Sequence, residues 1–132
     1  MVSVNTLCKN ILNVKSAVIE DCSFYSDADG VKHIRIRARP NKWHENDCPF
    51  CHKPCPVYDR HSSVPRTWRG LDAGGILVEV EYQTHRIICP EHGVYVADVP
   101  WAYPCSGFTK DFDLTAAWLA TYLPRSVVSE YM

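Results

Sequence analysis

The sequence predicts an α+β fold in which a small, mostly antiparallel β region is followed by helices. Three features favour this class. Short segments of alternating apolar and polar residues run to about residue 99, turn-rich stretches containing cysteine interrupt them, and a helical pattern begins at Thr109. We therefore expect a β-rich domain over residues 1–108 and a helical end over residues 109–132. The chain has 132 residues, 46% hydrophobic and 22% charged, as in one folded domain.

The elements are expected in a definite order. A short helix over residues 6–14 has apolar residues at helical spacing. A β-hairpin turns at SDADG, whose Asp-Gly end is typical of a hairpin turn. Strands are expected at residues 17–25, 31–39, 64–70, 76–84, 85–89 and 93–99. A helix from Thr109 stops at Pro124, and Ser126 is expected to cap another.

The strand at 31–39 separates apolar from basic side chains. Ile34, Ile36 and Ala38 alternate with Arg35, Arg37 and Arg39, which puts the three guanidinium groups on one face. Such a row favours phosphate contact, although a charged edge strand would look similar. Trp43 and Trp68 nearby could pack against sugars, but a core position is commoner.

The net charge of −1 conceals a basic block. Residues 31–70 hold nine Lys or Arg and three acidic residues, a net charge of +6, between two acidic flanks. This block is either a solvated face paired with those flanks or a nucleic-acid footprint. The candidate DNA contacts are Arg35, Arg37, Arg39, Lys42, Arg60, Arg66, Arg69 and Arg125. Arg125, in the last helical segment, is the basic candidate for base readout.

Seven cysteines and the amino-terminal sequence bear on the cellular compartment. The amino-terminal residues 1–15 do not resemble a secretory signal, so none is expected, and no apolar run approaches the ~20 residues of a membrane helix. A membrane protein and a secreted disulfide scaffold are both disfavoured, and a reducing cytoplasm is expected. Cys8, Cys22 and Cys105 are expected to be small core residues.

Two short motifs predict a metal site. Cys48-Pro-Phe-Cys51 precedes Cys89-Pro-Glu-His92, and each motif separates its two ligands by two residues. Three thiolates and one imidazole suit tetrahedral zinc, and four protein ligands leave no open position for water. We therefore expect a structural zinc in a zinc-ribbon-like domain. The competing ligands are Cys55, His52, His44 and His61.

Enzymatic alternatives fit less well. The zinc deaminase pattern fails because His44 and Glu45 are adjacent and Pro49 lies inside the cysteine pair. A thioredoxin-like motif should open a helix, whereas Pro54 and Pro56 crowd this one. No nucleotide-binding loop or catalytic triad stands out. A thiol-redox or metal-handling role remains a third, weaker hypothesis.

The order of motifs resembles a known family. IRIRARP, CPFC, YDRH, TWRGLD, RIICPEHGV, VPWA and FTKDF occur in sequence from residue 34 to residue 112. This combination closely resembles the amino-terminal region of insertion-sequence transposases of the ISL-three family. The resemblance implies a zinc finger held by Cys48, Cys51, Cys89 and His92, followed by a helix-turn-helix that would begin around residues 125–132. The family's catalytic domain has no counterpart in these residues, so no enzyme activity is expected.

Two functions from different classes follow. The first is a zinc-stabilised DNA-binding module for transposition and DNA recombination, which binds double-stranded DNA at the terminal inverted repeats of an insertion sequence. The second is a zinc-stabilised protein-interaction module that self-associates or pairs with full-length transposase or another partner. Neither involves a membrane or a small-molecule substrate.

Overall fold

The structure, a computed structural model, describes residues 4–60 and 64–132. Within these ranges the chain forms three helices and seven strands, and the predicted α+β class is confirmed. In chain order they are α1 (Val4–Leu12), β1 (Ala17–Ser26), β2 (Lys32–Pro40), β3 (Val57–Asp59), β4 (Arg66–Arg69), β5 (Ile76–Tyr82), β6 (Arg86–Cys89), β7 (Gly93–Val96), α2 (Lys110–Tyr122) and α3 (Arg125–Tyr131).

The larger sheet contains four strands in the order β1-β2-β5-β4. β1 and β2 form the predicted hairpin, and Gly30 (φ +78°) closes its turn with a hydrogen bond to the Asp27 carbonyl. β2 and β5 pair in parallel, an arrangement that needs a long crossover connection. Residues 41–75 supply this connection, and they carry the first cysteine pair away from the sheet.

The main core lies on the apolar face of β2. Ile34 and Ile36 are buried, as the alternation predicts. Trp68 and Trp101 lie at the centre of the core, edge to face, with ring centroids 5.5 Å apart. Tyr82 packs edge-on against Trp101 at 5.6 Å. These aromatic contacts add to the stabilisation from area burial alone.

Two core expectations are wrong. Trp43 is 84% exposed, so only Trp68 of that pair is a core residue. Cys105 is also exposed and has a positive φ of 65°. Both residues lie in turns or irregular segments, where no periodicity reports the direction of a side chain.

Helix α1 packs against the larger sheet at its first strand. Cys8 is fully buried, and Leu12 follows it one turn later on the same face. The sulfurs of Cys8 and Cys22 meet as a disulfide that joins α1 to β1. Cys8 thus fits the expected core position, while its pairing with Cys22 departs from the expectation of separate thiols.

Helix α2 begins directly after Thr109, the residue from which a helix was predicted, and Thr109 is its N-cap. The Thr109 hydroxyl accepts a hydrogen bond from the backbone N–H of Phe112 (3.3 Å), which satisfies one amide of the first turn. The segment before the helix is anchored because Thr109 N–H donates to the Arg69 carbonyl on β4 (2.9 Å). Phe112 is buried, and the helix ends before Pro124, as predicted.

Helix α3 starts one residue earlier than its predicted cap. Pro124 occupies the N-cap position, α3 begins at Arg125, and no side chain caps it, so the expectation for Ser126 is wrong. Proline has no side-chain acceptor for the first-turn amides, and its backbone carbonyl accepts hydrogen bonds from the N–H groups of Val127 (3.0 Å) and Val128 (3.1 Å). No helix in the described ranges is long and apolar enough to cross a membrane.

The smaller sheet has little hydrophobic material of its own. It contains β3, β6 and β7 in antiparallel order. Its core consists of three cysteines, one alanine and one larger residue, Ile87. Such a core is too small to supply several kcal/mol of stability by burial, and small domains of this kind need a covalent or metal cross-link.

Candidate metal centre

The first half of the centre is a tight turn in the segment that follows β2. The backbone N–H of His52 donates to the Cys48 carbonyl (2.9 Å), and the N–H of Cys48 donates to the Lys53 carbonyl (3.0 Å). His52 adopts a left-handed φ of +59° to close the turn. This geometry brings Cys48 and Cys51 to one side.

The second half is the hairpin between β6 and β7. Cys89 ends β6 and pairs in register with Gly93, which starts β7. Gly93 has φ +89°, a conformation that only glycine adopts without strain. Cys89 and His92 therefore belong to one turn that faces the first.

The four side chains form one cluster that could hold a metal ion. The sulfurs of Cys48, Cys51 and Cys89 and a ring nitrogen of His92 all lie within 4.8 Å of one another. The sulfurs of Cys51 and Cys89 are 3.8 Å apart, and His92 Nδ1 lies 3.6 Å from Cys48 Sγ and 3.4 Å from Cys89 Sγ. Zinc with bonds of ~2.3 Å to sulfur and ~2.0 Å to nitrogen requires tetrahedral edges of about 3.8 Å and about 3.5 Å. The donor set and its spacing therefore fit a tetrahedral zinc ion.

The protein favours the thiolate form of Cys89. Burial alone would raise the pKa of this thiol. The backbone N–H of Glu91 and the side chain of His92 more than offset burial and lower the pKa to about 6. A thiolate is the form that binds metal.

The competing ligands have other surroundings. Burial, with the neighbouring Cys89 next in importance, raises the pKa of the Cys55 thiol to about 11, and its sulfur lies 3.3 Å from the Lys53 carbonyl. His52 lies 3.5 Å from Asp98, and His44 lies 2.8 Å from Asp47. His61 lies outside the described residues.

The ring of Phe50 packs against the His92 side of the centre, a contact that sequence reasoning missed. Its centroid lies 5.4 Å from the His92 ring and 4.8 Å from the Tyr95 ring. The only sequence signal was its place between the two cysteines of the first motif, which keeps it near the ligands without fixing the direction of its side chain.

Two of the candidate DNA-contacting arginines face glutamates. In the parallel register Arg35 lies beside Glu79, and Arg37 lies beside Glu81. Arg35 Nη2 is 3.2 Å from Glu79, and Arg37 Nη2 is 3.5 Å from Glu81. The glutamates of β5 thus neutralise much of the positive charge predicted for this face.

Arg66 and Arg69 also have partners within the fold. Arg66 Nη2 donates to the Ser106 carbonyl (2.7 Å), and its guanidinium lies over the Trp68 ring. Arg69 Nη2 lies 3.7 Å from Asp72. Both arginines help to hold the segment before α2 on the larger sheet.

The other four basic candidates form no ion pair with a described residue: Arg39, Lys42, Arg60 and Arg125. Lys42, Arg60 and Arg125 are exposed, and Arg39 is half-buried. Burial, followed by the negative charge of Glu45, raises the pKa of Tyr82, and the charges of Arg60 and Arg39 oppose this rise. Acidic and basic side chains therefore share the neighbourhood of the Tyr82 hydroxyl at this end of β5.

A polar network on the larger sheet surrounds His33. Its Nε2 lies 2.8 Å from Asp27 and its Nδ1 lies 2.8 Å from Glu79. The Tyr25 hydroxyl donates to Glu79 (2.6 Å), and the Tyr25 ring stacks on His33. The hydrogen bond to Asp27, followed by that to Glu79, raises the pKa of His33 although burial opposes the charge.

Replacement of His33 by glutamine should destabilise the protein in a pH-dependent manner. The folded-state pKa of His33 exceeds its ordinary value of 6.5. Its stabilising contribution is therefore complete below about pH 6.5 and is lost as pH rises through the raised pKa. Urea unfolding of both proteins at pH 6 and pH 9 should show the larger difference in unfolding free energy at pH 6. An equal difference at both values would contradict an imidazolium held by two carboxylates.

The fold and the cluster define a small α+β domain in which four residues that could hold a metal ion, three cysteines and one histidine, lie beside a minor three-stranded sheet. The chain is similar to part of the transposases for insertion sequence element IS1557 from Mycobacterium tuberculosis strains CDC 1551 / Oshkosh and ATCC 25618 / H37Rv. In both comparisons 40% of 120 residues are identical, over 89% of this chain and 27% of the transposase. The chain thus spans about a quarter of the length of these curated relatives. No family model and no solved structure matches it.

Proposed function

We propose that the chain is a zinc-stabilised DNA-binding module of an ISL-three family transposase and binds the terminal inverted repeats of a mobile element. The observation that carries this proposal is its 40% identity, over 89% of the chain, to transposases. The Cys3His cluster supports a structural zinc, because four protein ligands leave no position for a reacting water. The proposed role of this chain is to bind DNA, and strand cleavage is assigned to other parts of a transposase.

The phosphate-binding surface of this module is proposed to lie where β2 and β5 end. Arg39 and Arg60 lie near Tyr82, and Lys42 follows β2 by two residues. None of these three cations forms an ion pair with a described residue, although Glu45 and Glu20 also act on Tyr82, so their guanidinium and ammonium groups are available to contact phosphates. Arg125 at the exposed start of α3 is proposed to approach the bases.

DNA binding should depend steeply on salt through these cations. Each neutralised phosphate contributes about −0.9 to the slope of log K against log salt concentration. The triple variant Arg39→Gln/Lys42→Gln/Arg60→Gln should therefore flatten the slope by about 2.7. Fluorescence anisotropy with duplexes selected from a random pool would measure it between roughly 50 and 200 mM salt.

The matched control is the double variant Arg35→Gln/Arg37→Gln. Because these arginines already contact glutamates, we expect a slope change smaller than that of a single free cation. A large change of the salt slope in the double variant, with no change in the triple variant, would place the DNA interface on the face of β2 that carries Arg35 and Arg37. An absence of DNA binding at any salt would refute the proposed function.

A protein-interaction module is the second candidate, and the exposed face of α2 favours it. Leu114, Trp118 and Tyr122 follow one another at four-residue spacing and are 55%, 62% and 71% exposed. A stripe of this kind is typical of helix pairing. Self-association that Trp118→Ala abolishes, together with negligible DNA affinity at low salt, would favour this function over the first.

A further inference from the structure

An apolar cavity lies beside the metal centre, between β4 of the larger sheet and β7 of the smaller one. Its volume is about 160 Å³. Phe50, Tyr95 and Tyr103 form aromatic walls, and Trp68 contributes to the lining from the core. The three wall residues are 51%, 43% and 42% exposed, so their rings remain accessible from solvent.

The volume of the cavity limits the size of the ligand that it can bind. A cavity of about 150 Å³ accommodates one six-membered ring. Its aromatic walls suit a planar group, because a base that stacks on such rings gains affinity whatever its sequence context. A pyrimidine-sized ring therefore fits better than an extended peptide.

The charges around the cavity match a nucleotide. Arg66 lines it with its guanidinium over the Trp68 ring (4.8 Å), and Lys110, next to the cavity, lies over the Tyr103 ring at 5.3 Å. These cations suit the phosphates that flank a base. Asp98 also lines the cavity, and one oxygen of its carboxylate lies 3.5 Å from His52 Nδ1. A carboxylate accepts a hydrogen bond from the amino group of cytosine, whereas thymine presents an oxygen at the same position.

We propose that this cavity binds one unpaired pyrimidine of the DNA, and that Asp98 favours cytosine over thymine. The inference rests on the proposed DNA-binding function and assigns to it a second mode of recognition, besides phosphate contact. Tyr103 and Phe50 stack on the base, and Arg66 and Lys110 contact its flanking phosphates. We expect an already unpaired base to be the ligand, because moving it out of the base stack requires less free energy than moving a paired base.

The test compares three labelled duplexes that differ only at one position: fully paired, with one extra unpaired cytosine, and with one extra unpaired thymine. Anisotropy with the zinc-loaded chain at physiological salt should show about tenfold tighter binding to the cytosine duplex than to the paired one. Binding to the thymine duplex should be intermediate. Asp98→Asn should equalise the two unpaired duplexes, and Tyr103→Ala should remove the gain.

Tyr58→Ala is the matched control, because Tyr58 is an exposed tyrosine outside the cavity. This variant should keep the tenfold ratio. Alkylation of Cys105 gives an independent readout, since this exposed thiol also lines the cavity. The cytosine duplex should slow its modification by iodoacetamide at least fivefold, as followed by peptide mass spectrometry, whereas the paired duplex should not.

The outcomes separate this inference from the proposed function. Equal binding of the paired and unpaired duplexes would overturn the cavity assignment and leave DNA binding intact. A gain that persists in Tyr103→Ala would also overturn it. Failure of all three duplexes to bind would refute both proposals, and protection of Cys105 by an aromatic peptide alone would assign the cavity to a protein ligand.

Discussion

Replacement of Cys89 by serine is expected to unfold the smaller sheet and to release the bound metal. Structural zinc contributes on the order of 10 kcal/mol or more to the folding of small zinc domains, which equals or exceeds the whole stability of many domains. The apolar core around Cys89 contains only one larger residue, Ile87, so burial cannot compensate for the lost ligand. Chelation of zinc from the unaltered chain should have the same effect.

Thermal unfolding by circular dichroism and the zinc content of the purified protein would test this prediction. Cys55→Ser is the matched control, because Cys55 is buried in the same cluster but lies outside the four-residue centre. This control should retain stoichiometric zinc and lose far less stability than Cys89→Ser. Equal losses in the two variants, or an unchanged unfolding temperature after chelation, would contradict a structural metal at these four residues.

The main parts of the fold could be predicted from local patterns. The period of two in β2 separates buried Ile34 and Ile36 from the arginines, because side chains alternate across a strand. The Thr109 cap and Pro124 delimit α2 because both act within a few residues of chain. The two turns that carry the Cys3His cluster are likewise local, so their spacing indicated which residues come together.

Long-range pairing could not be predicted in the same way. Nothing in the local pattern specifies that β2 and β5 lie side by side in parallel, which sets Glu79 beside Arg35. The sequence therefore predicted three available arginines on β2, although β5 pairs two of them, Arg35 and Arg37, with glutamates. The cavity beside Phe50 also depends on three separate segments, and no single motif contains it.

Replacement of Trp101 by alanine is expected to cost about 3–5 kcal/mol of unfolding free energy, the usual range for a large buried aromatic side chain. Trp101 is fully buried and contacts the rings of Trp68 and Tyr82, so its loss leaves a cavity that two other large rings cannot fill. Its backbone carbonyl also accepts a hydrogen bond from Lys110 at the start of α2 (2.7 Å), which links this core to the helix. Urea denaturation at constant zinc concentration would measure the change.

Trp43→Ala provides the matched control for the same substitution on the surface. Because Trp43 is 84% exposed, its removal should change the unfolding free energy by no more than about 0.5 kcal/mol. Trp101 belongs to the core of the larger sheet, and the cysteines belong to that of the smaller sheet. Folded Trp101→Ala protein should therefore keep its zinc. Loss of the metal while the larger sheet stays folded would show that the two cores are coupled. Comparable destabilisation by both tryptophan variants would refute the assignment of Trp101, rather than Trp43, to the core.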